Sequence, residues 1–208
     1  SHSYISSQLA VLGQICYNCL GLRIVSLSGL HLLLTYKCNA RCQHCFLNAS
    51  PNQHEVMSAQ TAFKLLLEAK EAGVNHIFIE GGEPFLLPKL LPLVIKKASE
   101  LGFWVGLLTN GFWAVSAEQA KKVLLPLVKA GLNSLSISTD SYHQAFVPLK
   151  NALLAAKTAK ALGLEADLMV CQDKATPTSL LAALKTNNCS QVPVYEGGLV
   201  CRGRAVLS

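Results

Sequence analysis

Four glycines at near-regular intervals constrain the fold of this 208-residue chain more than any other feature. Gly73, Gly102, Gly131 and Gly163 each follow a helical pattern and precede a short apolar run. Glycine is favoured at such positions because many helices end with a residue in the left-handed conformation. Helix, glycine and strand in repeated order predict parallel strands joined by right-handed crossover helices.

Apolar runs and helical patterns extend this alternation along most of the chain. Strands are predicted at 31–36, 75–80, 103–109, 133–138, 164–170 and 191–195. Helices are predicted at 58–72, 88–101, 116–130, 147–162 and 177–186, with Ser58 and Ser116 as N-caps. A closed barrel of eight units usually takes about 250 residues. Six strands therefore predict an α/β fold, a partial (β/α)6 TIM-like barrel with an open, parallel sheet.

Residues 1–30 fall outside the alternation and are predicted to form an N-terminal extension, with a helix at 5–19 and a short strand at 22–27. Residues 31–208 are predicted to form the partial barrel. Hydrophobic residues make up 51% of the chain and charged residues 14%, which suits strands buried on both faces.

Composition also narrows the cellular setting. No apolar stretch reaches the roughly 20 residues that span a bilayer, and the opening residues lack a basic signal-peptide region. We expect a cytoplasmic protein with no membrane partner. The net charge of +6 is spread over several helices, which is typical of solvated faces and does not favour nucleic-acid binding.

Three cysteines form the motif that carries chemistry. The sequence CNARCQHC places Cys38, Cys42 and Cys45 directly after the first barrel strand. Clustered cysteines without a secretory signal indicate metal ligation in a reducing compartment rather than disulfides. Three thiolates on one loop can hold a four-iron cluster and leave one iron open, which makes the cluster a catalyst rather than an electron store.

Other metal sites are compatible with these residues alone. Zinc prefers four ligands, and His44 or His54 could complete such a site with the three cysteines. A ferredoxin-type cluster needs a fourth cysteine to close it. The competing class of function is therefore a non-catalytic iron–sulfur or zinc-binding module.

A second motif separates these alternatives. IEGGEP at 79–84 ends the second strand, and Gly81 and Gly82 allow the backbone to approach a ligand closely. Together with CNARCQHC, this motif resembles the CxxxCxxC and GGEP signatures of the radical S-adenosylmethionine superfamily. The resemblance covers roughly residues 31–205. It implies a 4Fe–4S cluster on the three cysteines and bound S-adenosylmethionine, which the enzyme cleaves reductively to a 5′-deoxyadenosyl radical that abstracts a hydrogen atom from a substrate.

The resemblance also implies contacts to S-adenosylmethionine around the barrel. They are assigned to His44 before the third cysteine, to Gly81, Gly82, Glu83 and Pro84, to Asn110 after strand three, to Ser136, Ser138 and Asp140 at strand four, and to Val170 at strand five. Strand-end capping is the competing interpretation for Ser136. His143 follows strand four, and we predict it as a catalytic residue, a substrate ligand or proton donor; a solvated loop histidine is the alternative.

Substrate and partners are implied less specifically. Many family members carry an auxiliary cluster, for which the candidate ligands here are Cys16, Cys19, Cys171, Cys189 and Cys201; buried core cysteines are the competing interpretation. RGRA at 202–205 resembles a segment that leads into a C-terminal extension in longer relatives. We expect a flavodoxin- or ferredoxin-like reductant. A peptide or protein substrate is favoured, for a maturase or glycyl-radical activase, over a small molecule of cofactor or nucleoside biosynthesis.

Overall fold

The computed structural model describes residues 27–171, 182, 184–185, 192–198 and 202–206. Within this part of the chain, six strands form one parallel sheet in the order of the sequence. The strands are β1 (Gly29–Leu33), β2 (His76–Glu80), β3 (Trp104–Thr109), β4 (Ser134–Ser138), β5 (Glu165–Cys171) and β6 (Val194–Gly197). Among the described strands, β1 and β6 are edges that do not pair with each other. The predicted partial, open barrel is therefore confirmed.

Helices cross between the strands. They are α1 (Ala59–Glu71), α2 (Leu90–Glu100), α3 (Ala117–Lys129), α4 (Ser141–Gln144) and α5 (Leu149–Ala161), with 3₁₀ helices at Pro84–Leu86 and Gly203–Val206. The predicted caps are present: Ser58 accepts a hydrogen bond from Thr61 N at 3.0 Å, and Ser116 accepts one from Gln119 N at 3.1 Å. All four helix-ending glycines have positive φ, as the glycine pattern predicted. None of the described helices is long and apolar enough to cross a membrane.

The core lies between the sheet and its helices. Alternate strand residues such as Leu32, Ile79 and Leu107 are almost completely buried on that side, and each contributes roughly 1.5–3 kcal/mol by leaving water. Residues at the intervening positions, for example His31 and Phe78, are only partly buried. This alternation leaves the inner face of the open barrel available for a site.

Element ends differ from prediction where tertiary contacts decide them. β1 begins two residues earlier than predicted and ends at Leu33, because the chain then bends and Thr35 pairs with Val56 instead. The four-residue helix α4 was not predicted, since it is too short to show a helical period. Of the predicted helix 177–186, only residues 182, 184 and 185 are described, and these are helical. The predicted extension 1–30 lies outside the described residues up to residue 26.

Candidate functional site

A cavity of about 340 Å³ lies at the carboxyl ends of the strands, where ligand sites of parallel α/β folds are found. It brings together most of the residues that the sequence predicted. These are Cys38, Cys42, His44, Cys45, Gly81, Gly82, Asn110, Ser138, Asp140, His143 and Val170. Glu83, Pro84 and Ser136 are not among the lining residues. The side-chain hydroxyl of Ser136 instead donates to Asp167 at 2.9 Å, further back along the sheet.

The cysteine loop forms one wall of this cavity. Cys38 and Cys42 are buried and Cys45 is partly exposed. Burial raises the pKa of the Cys38 thiol to about 11 and that of Cys42 to about 12, and neighbouring negative groups add to this effect. Thiols in this setting keep their protons at neutral pH unless a cation compensates the charge. A metal group that binds here must therefore displace those protons.

Asn110 connects the end of β3 to this loop. Its side-chain amide donates to Asn39 Oδ1 at 2.9 Å and lies 3.9 Å from Cys38 Sγ. Its Oδ1 accepts from Phe112 N at 3.0 Å, which fixes the orientation of the amide group. Asn110 was predicted as a cofactor contact; in the structure its side-chain amide lies next to the first cysteine of the motif.

The glycines of the GGEP segment pack against the protein's own backbone. Gly82 N donates to Thr35 O at 2.6 Å, and Glu83 N donates to Lys37 O at 2.9 Å. A Cβ at Gly82 would overlap the carbonyl of Lys37, and Gly81 has φ 140° beside Thr35. These two glycines thus hold the β2 end directly against the chain that leads into the cysteine loop. The backbone amides of Gly82 and Glu83 are already used in these hydrogen bonds. A cationic amino group that bound here would therefore donate to the backbone carbonyls of this segment.

Glu83 binds strand ends together rather than facing the cavity. Its side chain is fully buried and accepts from Thr109 Oγ1 at 2.8 Å, Asn110 N at 2.8 Å and Phe85 N at 3.1 Å. Burial raises the pKa of Glu83 to about 7, against the three hydrogen bonds, which lower it. Pro84 begins the short 3₁₀ helix behind it and is also buried. The predicted contact of Glu83 with a cofactor is thus replaced here by a contact between β2 and β3.

The titration of Glu83 gives a prediction for stability. A raised pKa means that the folded state holds the proton more tightly, so stability falls as pH rises from about 4.5 to about 7. The full effect is about 3 kcal/mol. In urea unfolding at pH 5 and pH 8, Glu83→Gln should remove this part of the pH dependence, because glutamine imitates the protonated acid. Equal pH dependence in the two proteins would show that Glu83 does not titrate in this range.

Asp140 organises the opposite wall. This buried carboxylate caps α4 and accepts from His143 N at 3.0 Å and from Cys171 N at 3.2 Å. Its oxygens also lie 2.8 Å from His143 Nδ1 and 3.3 Å from His44 Nε2. Burial acts to raise the pKa of Asp140, but hydrogen bonds from the two histidines outweigh it and the pKa is lowered. An ionised carboxylate only accepts, so both facing ring nitrogens are donors.

His44 is therefore held with one nitrogen open to a ligand. Its ring stacks on Tyr142 with centroids 4.5 Å apart and meets His143 edge-on at 4.8 Å. Nε2 faces Asp140, whereas the buried Nδ1 has no hydrogen-bond partner among the residues that the structure describes. A buried polar atom without a partner is costly, and a ligand that donates to Nδ1 would remove that cost.

Glu80 and Arg204 are among the cavity-lining residues that were not predicted as site residues. Glu80, at the end of β2, lines the cavity and pairs with His31 Nδ1 at 2.7 Å. Arg204 lines it from the far end of the chain. The alternation of residues along β1 and β2, which places every second side chain on the inner face, could have identified His31 and Glu80. No local pattern could identify Arg204, since its contacts lie more than 150 residues away.

The residues present fit a 4Fe–4S cluster and S-adenosylmethionine. Three thiols on one loop share a cavity with the Gly81–Gly82 backbone, which offers carbonyls to an amino group, and with His44, whose Nδ1 lacks a partner within the described part of the chain. His54, the alternative fourth ligand for zinc, is exposed and is not among the lining residues. Of the five cysteines considered for an auxiliary cluster, Cys171 lines this same cavity, and the other four lie outside the described residues.

Comparison with known proteins defines the class. The sequence profile of the Radical SAM superfamily matches residues 32–185, which is well over half of the chain. The chain therefore belongs to the radical SAM superfamily, as its motifs predicted. Members of this family are enzymes that use a 4Fe–4S cluster and S-adenosylmethionine, so the family resemblance and the cofactor prediction are both confirmed.

Several curated relatives are similar over part of their length. YydG of Bacillus subtilis strain 168, named for peptide biosynthesis, is 29% identical over 145 residues, which cover 68% of this chain and 46% of YydG. The PqqA peptide cyclase of Methylorubrum extorquens strain PA1 is 32% identical over 121 residues, 56% of this chain and 29% of the cyclase. A protein of Archaeoglobus fulgidus named as a GTP 3′,8-cyclase is 32% identical over 114 residues, 55% and 36% of the two chains. The chain thus spans less than half the length of these relatives.

Proposed function

We propose that this chain cleaves S-adenosylmethionine reductively at a 4Fe–4S cluster and uses the resulting radical to abstract a hydrogen atom from a peptide or protein. One observation carries the proposal. The three cysteines and His44 lie on one loop, whereas the Gly81–Gly82 backbone and Asp140, which pairs with His44, come from distant parts of the sequence and line the same cavity. A site that only stored electrons or zinc would have no use for the last two groups.

The position of each residue in the cavity indicates its role. Cys38, Cys42 and Cys45 would hold the cluster, and Asn110 orients the first of these cysteines. When bound, the reduced cluster and S-adenosylmethionine together supply the 5′-deoxyadenosyl radical. The carbonyls of Gly81 and Gly82 would accept hydrogen bonds from the amino group of the methionine part.

The opposite wall would hold the adenosine part. His44 offers its buried Nδ1 as an acceptor, while Asp140 keeps the ring in place from the other side. Ser138 and the backbone of Val170 complete this wall. His143, whose Nδ1 is held by Asp140 at 2.8 Å, lines the cavity as the candidate proton donor or substrate ligand. The buried apolar strands around the site keep water from the radical.

A peptide substrate is supported by the cavity rim and by two relatives. Phe46, Met169 and Tyr195 line the cavity yet are 37%, 38% and 60% exposed. Exposed apolar groups around a site mark a surface that binds another chain or a ligand. Two of the similar proteins carry names of peptide chemistry. We further propose a flavodoxin- or ferredoxin-like protein as the electron donor.

Asp140 should control cofactor affinity. In Asp140→Asn, the amide nitrogen would face at least one N–H donor, so that His44 and His143 lose their common anchor. We expect about tenfold weaker binding of S-adenosylmethionine, the loss of one charge-assisted hydrogen bond, measured by equilibrium dialysis with the reconstituted protein. Asp167→Asn is the matched control, because Asp167 bonds Ser136 outside the cavity. Equal affinities in both variants would remove Asp140 from the cofactor site.

The substrate class can be tested by isotope transfer. Perdeuterated peptides encoded beside the gene for this chain would be incubated with the reduced protein and S-adenosylmethionine. Deuterium in the 5′-deoxyadenosine product, detected by mass spectrometry, supports a peptide substrate. Deuterium that arrives from perdeuterated GTP but not from peptides would favour the small-molecule alternative, in line with the third relative.

A further inference from the structure

The short 3₁₀ helix Gly203–Val206 lies against the cysteine loop, although about 160 residues separate them in sequence. Arg204 directs its hydrogen bonds to that loop. Its backbone N donates to Cys45 O at 3.0 Å, and its Nε donates to Cys42 O at 2.9 Å. Nη2 donates to Ala49 O at 2.6 Å, and Nη1 donates to Asn48 Oδ1 at 2.9 Å.

These contacts fix both ends of the loop segment from Cys42 to Ala49. Two of the acceptors are the backbone carbonyls of the cysteines themselves, so their positions determine where Cys42 and Cys45 can direct their sulfurs. Asn48 has φ 56°, and among the described residues no other non-glycine residue has a positive φ. Asparagine tolerates this conformation, and the guanidinium holds its side chain there.

Gly203 makes the approach close enough for these bonds. Its φ is 63°, and a Cβ at this position would come within 2.5 Å of the carbonyl oxygens of both Cys45 and Phe46. The backbone of Gly203 therefore packs directly on the cysteine loop, and this contact fixes the direction in which Arg204 extends toward that loop. A guanidinium has a rigid, planar set of donors, so this geometry selects arginine rather than a flexible cation.

We propose that Arg204 is a positioning residue that holds the cysteine loop in its cluster-binding conformation and whose charge raises the reduction potential of the bound cluster. The guanidinium is positively charged and donates to the backbone carbonyl of Cys42 at 2.9 Å, so this charge lies close to the proposed ligands. A cation near a cluster favours the reduced, more negative state. This inference rests on the cluster ligation proposed above, but its test needs neither S-adenosylmethionine nor a substrate.

The test compares Arg204→Gln and Arg204→Lys with Arg202→Gln after anaerobic reconstitution. Arg202 is exposed and two residues away, so its variant controls for the loss of one charge from the same segment. Three quantities are measured: iron per chain, the rate of iron loss to a chelator, and the midpoint potential from a redox titration followed by electron paramagnetic resonance. Urea unfolding of each variant without iron reports whether the fold itself is retained.

Arg204→Gln should lose iron about tenfold faster than Arg202→Gln, the effect of one charge-assisted hydrogen bond, and its remaining cluster should have a more negative potential. Arg204→Lys keeps the positive charge but loses the planar set of guanidinium donors. Its midpoint potential should therefore stay near that of the wild type, while its iron loss should be as fast as in Arg204→Gln. Equal iron loss and equal potential in Arg204→Gln and Arg202→Gln would overturn the proposal. Fast iron loss with an unchanged potential in Arg204→Gln would overturn its electrostatic part. A wild-type chain that binds no iron would instead contradict the proposed function.

Discussion

Replacement of Cys42 by alanine is expected to reduce the iron content from about four per chain to near zero and to abolish cleavage of S-adenosylmethionine. Cys42 is the central cysteine of the motif, it is buried, and its backbone carbonyl is fixed by Arg204. With two thiols left on the loop, the protein would bind the cluster too weakly to retain it. Iron analysis and the visible spectrum after anaerobic reconstitution measure the effect.

Cys171→Ala is the matched control for this experiment. Cys171 lines the same cavity but stands at the end of β5, apart from the cysteine loop. We expect this variant to keep its iron. Full iron content in Cys42→Ala would show that the ligand assignment is wrong. Loss of iron in Cys171→Ala would indicate a closed cluster with four cysteine ligands, which is an electron store rather than a catalyst.

The second large effect is expected at Gly82. In Gly82→Ala the new methyl group would overlap the carbonyl of Lys37, so the chain that leads into the cysteine loop must move away. Overpacking of this kind typically costs about 1–3 kcal/mol, and here the displaced backbone also carries Cys38. We expect a lower free energy of unfolding in urea and, independently, a lower iron content after reconstitution.

Gly197→Ala tests whether the effect is local. Gly197 also lines the cavity, but a Cβ there meets no atom of the described residues within 4 Å. This variant should have the stability and iron content of the wild type. If Gly82→Ala behaved in the same way, the close packing of the GGEP segment on the cysteine loop would not be needed for cluster binding.

The sequence predicted the parts of the fold that depend on local chemistry. Glycines at helix ends, serine caps and short apolar runs depend on a few neighbouring residues, so the order of strands and helices could be derived from them. Predicted strand limits were less accurate at β1, where Thr35 pairs with Val56 and the bend into the cysteine loop ends the strand. The short helix α4 escaped prediction because one turn shows no period.

For the site as well, the sequence predicted some features, and others depended on tertiary contacts. Strand ends in a parallel barrel converge, so the cysteine loop, Gly81 and Asp140 could be placed together from the sequence. The sequence did not show which partners the individual side chains of the site bind. Glu83 faces Thr109 and the backbone of Asn110 rather than the cavity, because its carboxylate finds three donors there. Arg204 depends on contacts across most of the chain, which no motif records.

Reductive cleavage of S-adenosylmethionine is the most direct test of the central claim. The chain would be reconstituted with iron and sulfide under anaerobic conditions, reduced with dithionite and incubated with S-adenosylmethionine, and the products separated by liquid chromatography and mass spectrometry. We predict 5′-deoxyadenosine and methionine in equal amounts, and neither in the Cys42→Ala control. A wild-type protein that holds about four irons per chain and yet forms neither product would contradict the claim.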